Sequence, residues 1–400
     1  MVSASKSEAA ESPIRLGMVG GGQGAFIGAV HRIASRIDGE FQLVAGALSS
    51  DPKRAQASAR ELGIDPERSY DSFAAMAEAE ARRDDGIEAV AIVTPNHVHF
   101  PAAKAFLEAG IHVICDKPLT STLADAKKLA ALVKESGSLF VLTHNYTGYP
   151  MVRQAREMVA NGTLGTIRLL HVEYPQDWLT TDLERTGQKQ ASWRTDPVQS
   201  GAGGATGDIG THAYNLARFV SGLELDTLSA DLDAFVEGRR VDDNAHIMLR
   251  FKAQESEDGR ARPAKGMIWA SQVAPGNENA LKLRIYGDKG GLEWEQEHPN
   301  HLWFAPFGEE KRLITRNGAG ALDAASRVSR IPAGHPEGYL EGFANIYSEA
   351  ARAIRAARQG ARPDAAVTYP TVTDGLEGVA FVDACVRSAK ANAKWVSLDI

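Results

Sequence analysis

Three side chains in this sequence have the types and surroundings to move a proton on and off a hydroxyl group. Asp208 and His212 stand four residues apart, at the end of the run Gly203-Gly204-Ala205-Thr206-Gly207. On a helix that spacing puts both on one face, where a carboxylate can orient and tune an imidazole. Histidine is the side chain whose ordinary pKa suits proton transfer near neutral pH. The third residue is Lys117, in Asp116-Lys117-Pro118-Leu119, directly after the apolar run His112 to Cys115. An ammonium at the end of such a strand polarises an oxygen and stabilises an alkoxide as it develops. Together the three suit oxidation of a secondary alcohol, which needs a base for the hydroxyl proton and an acceptor for the hydride.

The N-terminal glycines point to that acceptor. Met18-Val19-Gly20-Gly21-Gly22-Gln23-Gly24-Ala25-Phe26-Ile27-Gly28 follows the first apolar run and opens a helical stretch. Glycines there make the turn tight and let backbone N–H groups approach a pyrophosphate, which the helix N-terminus stabilises. Gly20, Gly22, Gln23, Gly24, Ala25, Phe26 and Ile27 are therefore the expected cofactor-binding positions. The last glycine of the usual spacing is displaced to Gly28, which lengthens the loop. The second strand, Val44 to Leu48, runs into Ser49 and Ser50 without the carboxylate that commonly binds a ribose 2′-hydroxyl. Asp51, before Pro52, reads as a helix N-cap. Ser49, Ser50, Lys53 and Arg54 suit a 2′-phosphate, so NAD and NADP both stay open.

The elements that must position these groups fall into two halves. Apolar β-type runs at Ile14 to Val19, Gln42 to Leu48, Val90 to Thr94, His112 to Cys115 and Leu139 to Thr143 alternate with helical stretches at 51–62, 100–109 and 123–136. That alternation predicts parallel βαβ units in a doubly wound Rossmann sheet. After Pro150 a helix over Met151 to Asn161 gives way to strands. Ala245, Ile247, Leu249 and Phe251 alternate with His246, Met248, Arg250 and Lys252, as Leu281, Leu283 and Ile285 do with their neighbours. This is the pattern of an antiparallel sheet with one solvated face. Gly287-Asp288-Lys289-Gly290 supplies a turn, residues 254–265 read as a surface hairpin loop, and Tyr339, Phe343, Ile346, Ala350 and Ile354 line one face of a late helix. The expectation is an α/β chain: a disordered tail over 1–13, a Rossmann domain over 14–145, and an α+β domain over 146–400. The second domain has a large open, mostly antiparallel sheet, and its last helices pack back on the first.

Composition narrows the function classes. Four hundred residues exceed what one core usually supports, and 44% hydrophobic with 24% charged residues is ordinary globular usage. A net charge of -7 gives no footprint for nucleic acid. No apolar run is long enough for a bilayer, and the polar N-terminus lacks the apolar middle of a secretory signal. Cys115 and Cys385 are too far apart in sequence for a disulfide framework or a thiol metal cluster, which fits a reducing cytoplasm. His97 reads as structural, and no acidic or thiol cluster accompanies the histidines to bind a metal.

Three motifs in order, Thr94-Pro95-Asn96-His97-Val98-His99, Asp116-Lys117-Pro118-Leu119 and Gly203 to His212, follow the glycine turn. In that arrangement the chain resembles the glucose–fructose oxidoreductase/inositol dehydrogenase/rhizopine catabolism (Gfo/Idh/MocA) family, from Ile14 to the last helix. The resemblance implies that Lys117 contacts nicotinamide ribose and substrate hydroxyl, and that Asp208 and His212 are the acid and histidine of the catalytic helix, His212 as base. It implies that Thr94, Pro95, Asn96 and His99 line the nicotinamide pocket. Asp116 replaces a glutamate, and Asn215 stands where many relatives carry a second aspartate. Asn145, beside the cofactor, and Tyr146, Trp193, Arg194 and His335, beside the substrate, complete the expected pocket. The implied activity is NAD(P)-dependent dehydrogenation of a sugar, sugar derivative or cyclitol. The alternative is an NAD-dependent glycoside hydrolase working through transient oxidation of the ring. A cofactor-sensing regulator is disfavoured because lysine and histidine are both kept. The open sheet implies a homodimer or homotetramer.

Overall fold

The computed structural model describes residues 12–254 and 262–400. The expected N-terminal tail lies almost wholly outside the described residues, as does the tip of the loop after Gln254.

Short apolar runs become strands because both faces of the first sheet are covered; all five residues of its third strand are buried. The order is β1 (Ile14–Gly20), α1 (Phe26–Ile37), β2 (Phe41–Ala47), α2 (Pro52–Glu61), α3 (Phe73–Ala81), β3 (Ala89–Val93), α4 (Asn96–Glu108), β4 (His112–Cys115), α5 (Leu123–Ser136) and β5 (Phe140–Leu142). The strands pair in parallel in the order β2-β1-β3-β4-β5. The order reverses between β1 and β3, the crevice where such sheets bind ligands. The glycine turn ends β1 and Thr94 follows β3, so the two expected cofactor segments flank that crevice.

The remaining elements are α6 (Pro150–Ala160), β6 (Ile167–Pro175), α7 (Lys189–Arg194), α8 (Pro197–Ser200), α9 (Thr211–Ser221), β7 (Leu225–Asp233), β8 (Asn244–Gln254), β9 (Arg262–Ser271), β10 (Lys282–Gly287), β11 (Gly290–Glu295), β12 (His301–Pro306), β13 (Arg312–Thr315), α10 (Asp323–Ser326), α11 (Tyr339–Arg358) and α12 (Val372–Lys390). Eight strands form a sheet of order β13-β12-β11-β10-β6-β9-β8-β7. Every pair is antiparallel except β6 with β9. Alternate residues such as Val172, Ile247, Ile268 and Ile285 join Met151, Leu216 and Val220 in one core, while Leu169, Met248, Tyr286 and Trp303 are exposed. The loop expected as far as Lys265 is shorter than its composition suggests. Pro263 and Lys265 already pair with Ala253 and Arg250, and Ala264 between them is buried. Charged residues on the outward positions mask that alternation in the sequence.

The apolar stripe of α11 does not serve the eight-stranded sheet. Phe343, Ile346, Tyr347, Ala350 and Ile354 pack with Ile14, Val30, Ala34 and Phe41 in the core of the parallel sheet. The Tyr347 hydroxyl lies 2.8 Å from His31 Nδ1 on α1. The last helix, α12, packs on α5 and β7. Among the described residues no helix is long and apolar enough to cross a membrane, and Cys115 and Cys385 are buried free thiols.

Candidate active site

The glycine turn folds as a cradle. Gly20, Gly21 and Gly24 have φ of 77°, 72° and 76°, which β-carbon-bearing residues rarely adopt. A Cβ on Gly28 would fall 2.4 Å from Gly21 Cα, so this displaced glycine lets α1 pack tightly on the turn. The N-cap of α1 is Ala25, which offers no side-chain acceptor to the first-turn amides. A cavity of about 460 Å³ opens along Gly22, Gln23, Gly24, Ala25 and Phe26, with Arg32 and Ser58 on its walls. Gln23 N donates to Ser58 Oγ at 3.0 Å and its side chain to Glu61, while Arg32 donates to the Gly21 carbonyl. Ile27 is half-buried in the first turn. Past β2, Asp51 caps α2 by accepting from Arg54 N at 3.0 Å, and Ser49 Oγ accepts from Asp51 N. Ser50 and the Arg54 side chain are exposed at that edge.

Lys117, just past β4, and Asp208, in the turn before α9, meet. Gly204 makes this possible: a Cβ there would sit 2.0 Å from the Asp242 carbonyl. The buried Asp242 carboxylate accepts from Gly204 N, Thr206 N and Thr206 Oγ1, each at 2.7 Å, and fixes the start of a π-helical turn at Thr206–Gly210. Such turns displace the backbone ladder and recur at functional sites. Lys117 Nζ donates to the Asp208 carbonyl at 2.7 Å and to its Oδ1 at 2.8 Å. Gln272 Nε2 donates to Oδ2 at 2.9 Å, and Arg194 Nε lies 3.3 Å from the same oxygen. Burial pushes the Asp208 carboxyl up, but Lys117 and Arg194 outweigh it and hold the group well below the usual carboxylate range.

His212 sits one turn on and does not hydrogen-bond Asp208. The π-helical turn changes their angular spacing, and Lys117, Arg194 and Gln272 take up the carboxylate. The expectation that Asp208 holds the imidazole directly is therefore revised. His212 Nδ1 instead lies 3.5 Å from His144 Nδ1, and its ring meets the edges of Tyr146 and His144 with centroids 4.9 and 5.3 Å away. Burial, then Lys117 and His144, hold the His212 pKa well below its ordinary value. Tyr146 is buried with its hydroxyl against that of Tyr174, which donates to Asn279 at 2.8 Å.

The other expected residues divide into two sets. Thr94 Oγ1 and Asn145 Nδ2, at the C-terminal ends of β3 and β5, are buried polar atoms with no hydrogen-bond partner. With the glycine cradle, these orphaned atoms at the sheet edge fit a dinucleotide lying across the crevice. Trp193 and Arg194 stack at 4.3 Å, and Arg194 reaches Asp208. Pro95 caps α4, and Asp116 Oδ1 accepts from Lys117 N and Thr143 Oγ1, tying β4 to β5. Asn96 and His99 turn inward. Asn96 Nδ2 donates to the Ser200 carbonyl at 2.8 Å, and both ring nitrogens of His99 face backbone carbonyls, of Pro118 at 2.8 Å and Thr94 at 2.9 Å. Their polar atoms brace the loops around Lys117 instead of lining an open pocket. His335 lies apart from the cluster: it is exposed, its carbonyl accepts from Arg316, and Glu337 two residues later is the buried member of that loop. Among the described residues no group of three His, Cys, Asp or Glu is placed to hold a metal ion.

Sequence reasoning missed His144, Asp242 and Gln272. His144 carried a usable signal, since it lies two residues past a parallel strand at the ligand-binding edge. Asp242 and Gln272 sit in loops at the β8 and β9 ends, where only the fold brings them to the Gly204 turn.

Comparison with known proteins places the fold. Residues 14–144 match the oxidoreductase family with an NAD-binding Rossmann fold, and residues 152–293 match the GFO/IDH/MocA C-terminal domain. The uncharacterized oxidoreductase YfiI of Bacillus subtilis (strain 168) is 36% identical over 96% of both chains. An oxidoreductase from Sinorhizobium meliloti is 64% identical, with TM-score 0.87 over 96% of this chain and 99% of that one. An inositol dehydrogenase homolog from Azotobacter vinelandii, in complex with NADH and myo-inositol, is 37% identical, with TM-score 0.88 over 97% and 98% of the two chains. The parallel Rossmann sheet and the large open sheet beside it have their explanation in this kinship: the chain belongs to the GFO/IDH/MocA family of oxidoreductases.

Proposed function

We propose that this oxidoreductase is an NAD(P)-dependent dehydrogenase that oxidises a secondary hydroxyl of a sugar, sugar derivative or cyclitol. The observation that carries the reading is the pair of hydrogen bonds that Lys117 Nζ donates to Asp208, with His212 one turn away. In this reading residues 14–145 bind cofactor, and residues 146–400 hold substrate and support a homodimer or homotetramer through the outer face of the open sheet. The exposed Leu169, Met248, Tyr286 and Trp303 on that face support self-association. Two buried free thiols suit a reducing compartment such as the cytoplasm.

Gly20, Gly22, Gly24 and the first turn of α1 take the pyrophosphate, while Thr94 and Asn145 supply polar atoms to the nicotinamide end. A bound nicotinamide would supply the acceptor for the hydride of the carbinol carbon. Lys117 directs its charge to the substrate oxygen and stabilises the alkoxide. His212 accepts the hydroxyl proton. Asp208 holds Lys117 in place, and Arg194 with Trp193 presents a flat cationic surface suited to a polyol. The NADH and myo-inositol complex of the Azotobacter vinelandii homolog favours a cyclitol or related ring among the candidate substrates. The β2 end lacks a carboxylate and carries Ser49, Ser50 and Arg54, so both NAD and NADP belong in the assay.

The test is cofactor reduction, followed by absorbance, with free sugars, cyclitols and glycosides, alongside Lys117→Ala and His212→Ala. Reduction on a free polyol, lost in both variants, is the expected result. Cleavage of a glycoside without net reduction would overturn it in favour of a redox-assisted hydrolase.

A further inference from the structure

His144 has no place in the chemistry so far, yet it is the polar side chain set against His212 Nδ1. Its backbone is fixed: His144 N donates to the Leu142 carbonyl at 3.0 Å, and its own carbonyl accepts from Thr147 N and Oγ1 at 3.1 and 2.9 Å. Both rings are buried, and their Nδ1 atoms lie 3.5 Å apart. Two lone pairs facing each other at that distance, out of water, would be repulsive and unsatisfied. One of the two nitrogens must therefore carry a hydrogen and donate it to the other.

We propose that His212 is the donor and His144 the acceptor, so that His144 is a positioning residue that sets the tautomer of His212. This rests on the dehydrogenase reading above. The choice of donor follows from the proton count. If His144 donated, neutral His212 would carry its hydrogen on Nε2 and have no lone pair left to accept a hydroxyl proton. If His212 donates through Nδ1, its Nε2 lone pair is free. In the forward step the substrate O–H bond breaks as an Nε2–H bond forms, and the freed O–H electron pair becomes the second bond of the carbonyl. The carbinol C–H pair departs as hydride, for which a bound nicotinamide would supply the acceptor. His212 then carries one positive charge, and its Nδ1–H still points at the His144 lone pair. A carboxylate commonly performs this service for a catalytic histidine. Here Asp208 is held by Lys117, Arg194 and Gln272, and a second imidazole stands in its place.

The groups facing His212 are Lys117 after β4, His144 after β5, Tyr146 in the following turn, Tyr174 on β6 and Asp208 on its own element. Burial and then Lys117 hold the His144 pKa down at about 3, so it stays a neutral acceptor while His212 works.

The test combines tautomer and rate. Nitrogen NMR of protein labelled with ¹⁵N-histidine, with His212 assigned through a His212→Asn variant, reads which ring nitrogen carries hydrogen. The expected result is the Nδ1–H form of His212 in the parent and in His144→Asn, whose Oδ1 replaces the Nδ1 acceptor. In His144→Leu the Nε2–H form should grow. In parallel, kcat in His144→Leu should fall at least about 100-fold with cofactor Kd unchanged, while His144→Asn recovers most of it. An Nε2–H His212 in the parent, or a His144→Leu enzyme with parental tautomer and kcat, would overturn the proposal. The parental NMR measurement needs neither substrate nor a stable leucine variant. A parent that reduces no cofactor on any polyol would therefore count against the dehydrogenase reading, while the tautomer still decides the histidine pair.

Discussion

Lys117 grips Asp208 by both its backbone carbonyl and its carboxylate, at 2.7 and 2.8 Å, although the two residues are 91 positions apart in the chain. The bond joins the end of the fourth parallel strand to the π-helical turn beside the open sheet. Asp208→Asn keeps the shape but removes the charge that orients the ammonium. The expected outcome is a fall in kcat of about 100-fold or more, the scale of losing a charged group set against developing charge. Cofactor affinity, read by fluorescence titration, should stay within a few-fold. A variant with parental kcat would mean that Lys117 is placed by other contacts.

Four buried histidines make stability depend on pH. Burial lowers the pKa of His31 to about 4 and of His144 to about 3, and lowers those of His99 and His212 as well. The unfolded chain titrates these groups near about 6.5, so it binds more protons than the folded chain below that pH. The stability they confer is fully present above about pH 6.5 and is lost as pH falls toward the folded values. Each contributes a slope of about 1.4 kcal/mol per pH unit inside its window. Thermal unfolding from pH 7.5 down to 5 should show a falling Tm, with a shallower fall in His31→Gln. A flat Tm across that range would show that these rings titrate normally when folded.

Gly28 and Gly24 should respond differently to alanine. At Gly28 the new Cβ would lie 2.4 Å from Gly21 Cα, against backbone that cannot swing aside. Gly28→Ala should lower stability by about 1–3 kcal/mol and weaken cofactor binding. At Gly24 the space is open and only the positive φ is strained, so Gly24→Ala should cost about 1 kcal/mol. Urea melts with and without NAD measure both effects, and equal effects at the two sites would contradict the packing role of Gly28.

Asn145 offers a cleaner probe of the cofactor end. Its Nδ2 is buried without a protein partner, so Asn145→Ala removes no hydrogen bond from that donor in the free protein. The variant should melt within about 1 kcal/mol of the parent, yet bind NAD or NADP about 5- to 10-fold more weakly, the value of one hydrogen bond. Calorimetric titration separates the two. Unchanged affinity would remove Asn145 from the cofactor site.

The legible parts of this molecule were those where one local pattern reports one environment. Helix Leu123–Ser136 coincides with its expected range, because Thr122 caps one end and left-handed Gly137 the other. Strand β8 is legible because its buried and exposed residues alternate. The α12 helix is harder to read, since Gly375 and Gly378 lie inside it. A Cβ on Gly375 would press on Leu119 and Leu142, so close packing on the first sheet decides that residue over helix propensity. The site divides in the same way. Lys117, Asp208 and His212 stand in recognisable local motifs, whereas the partners of Asp208 come from 91, 64 and 14 residues away. His335 misled because its Gly-His-Pro setting marks a turn, and a turn before a helix faces solvent as readily as a pocket.

The lodging of α11 against α1 bears on how this protein can be rebuilt. Phe343, Ile346 and Tyr347 complete the nucleotide-binding core from a position two hundred residues downstream, and Tyr347 meets His31 there. A cassette cut at the end of the fifth strand would leave that core with an open seam. Grafting the nucleotide module onto another scaffold, to change cofactor choice, therefore requires residues 339–358 to travel with it. A circular permutant that splices this helix next to the first strand is the natural vehicle.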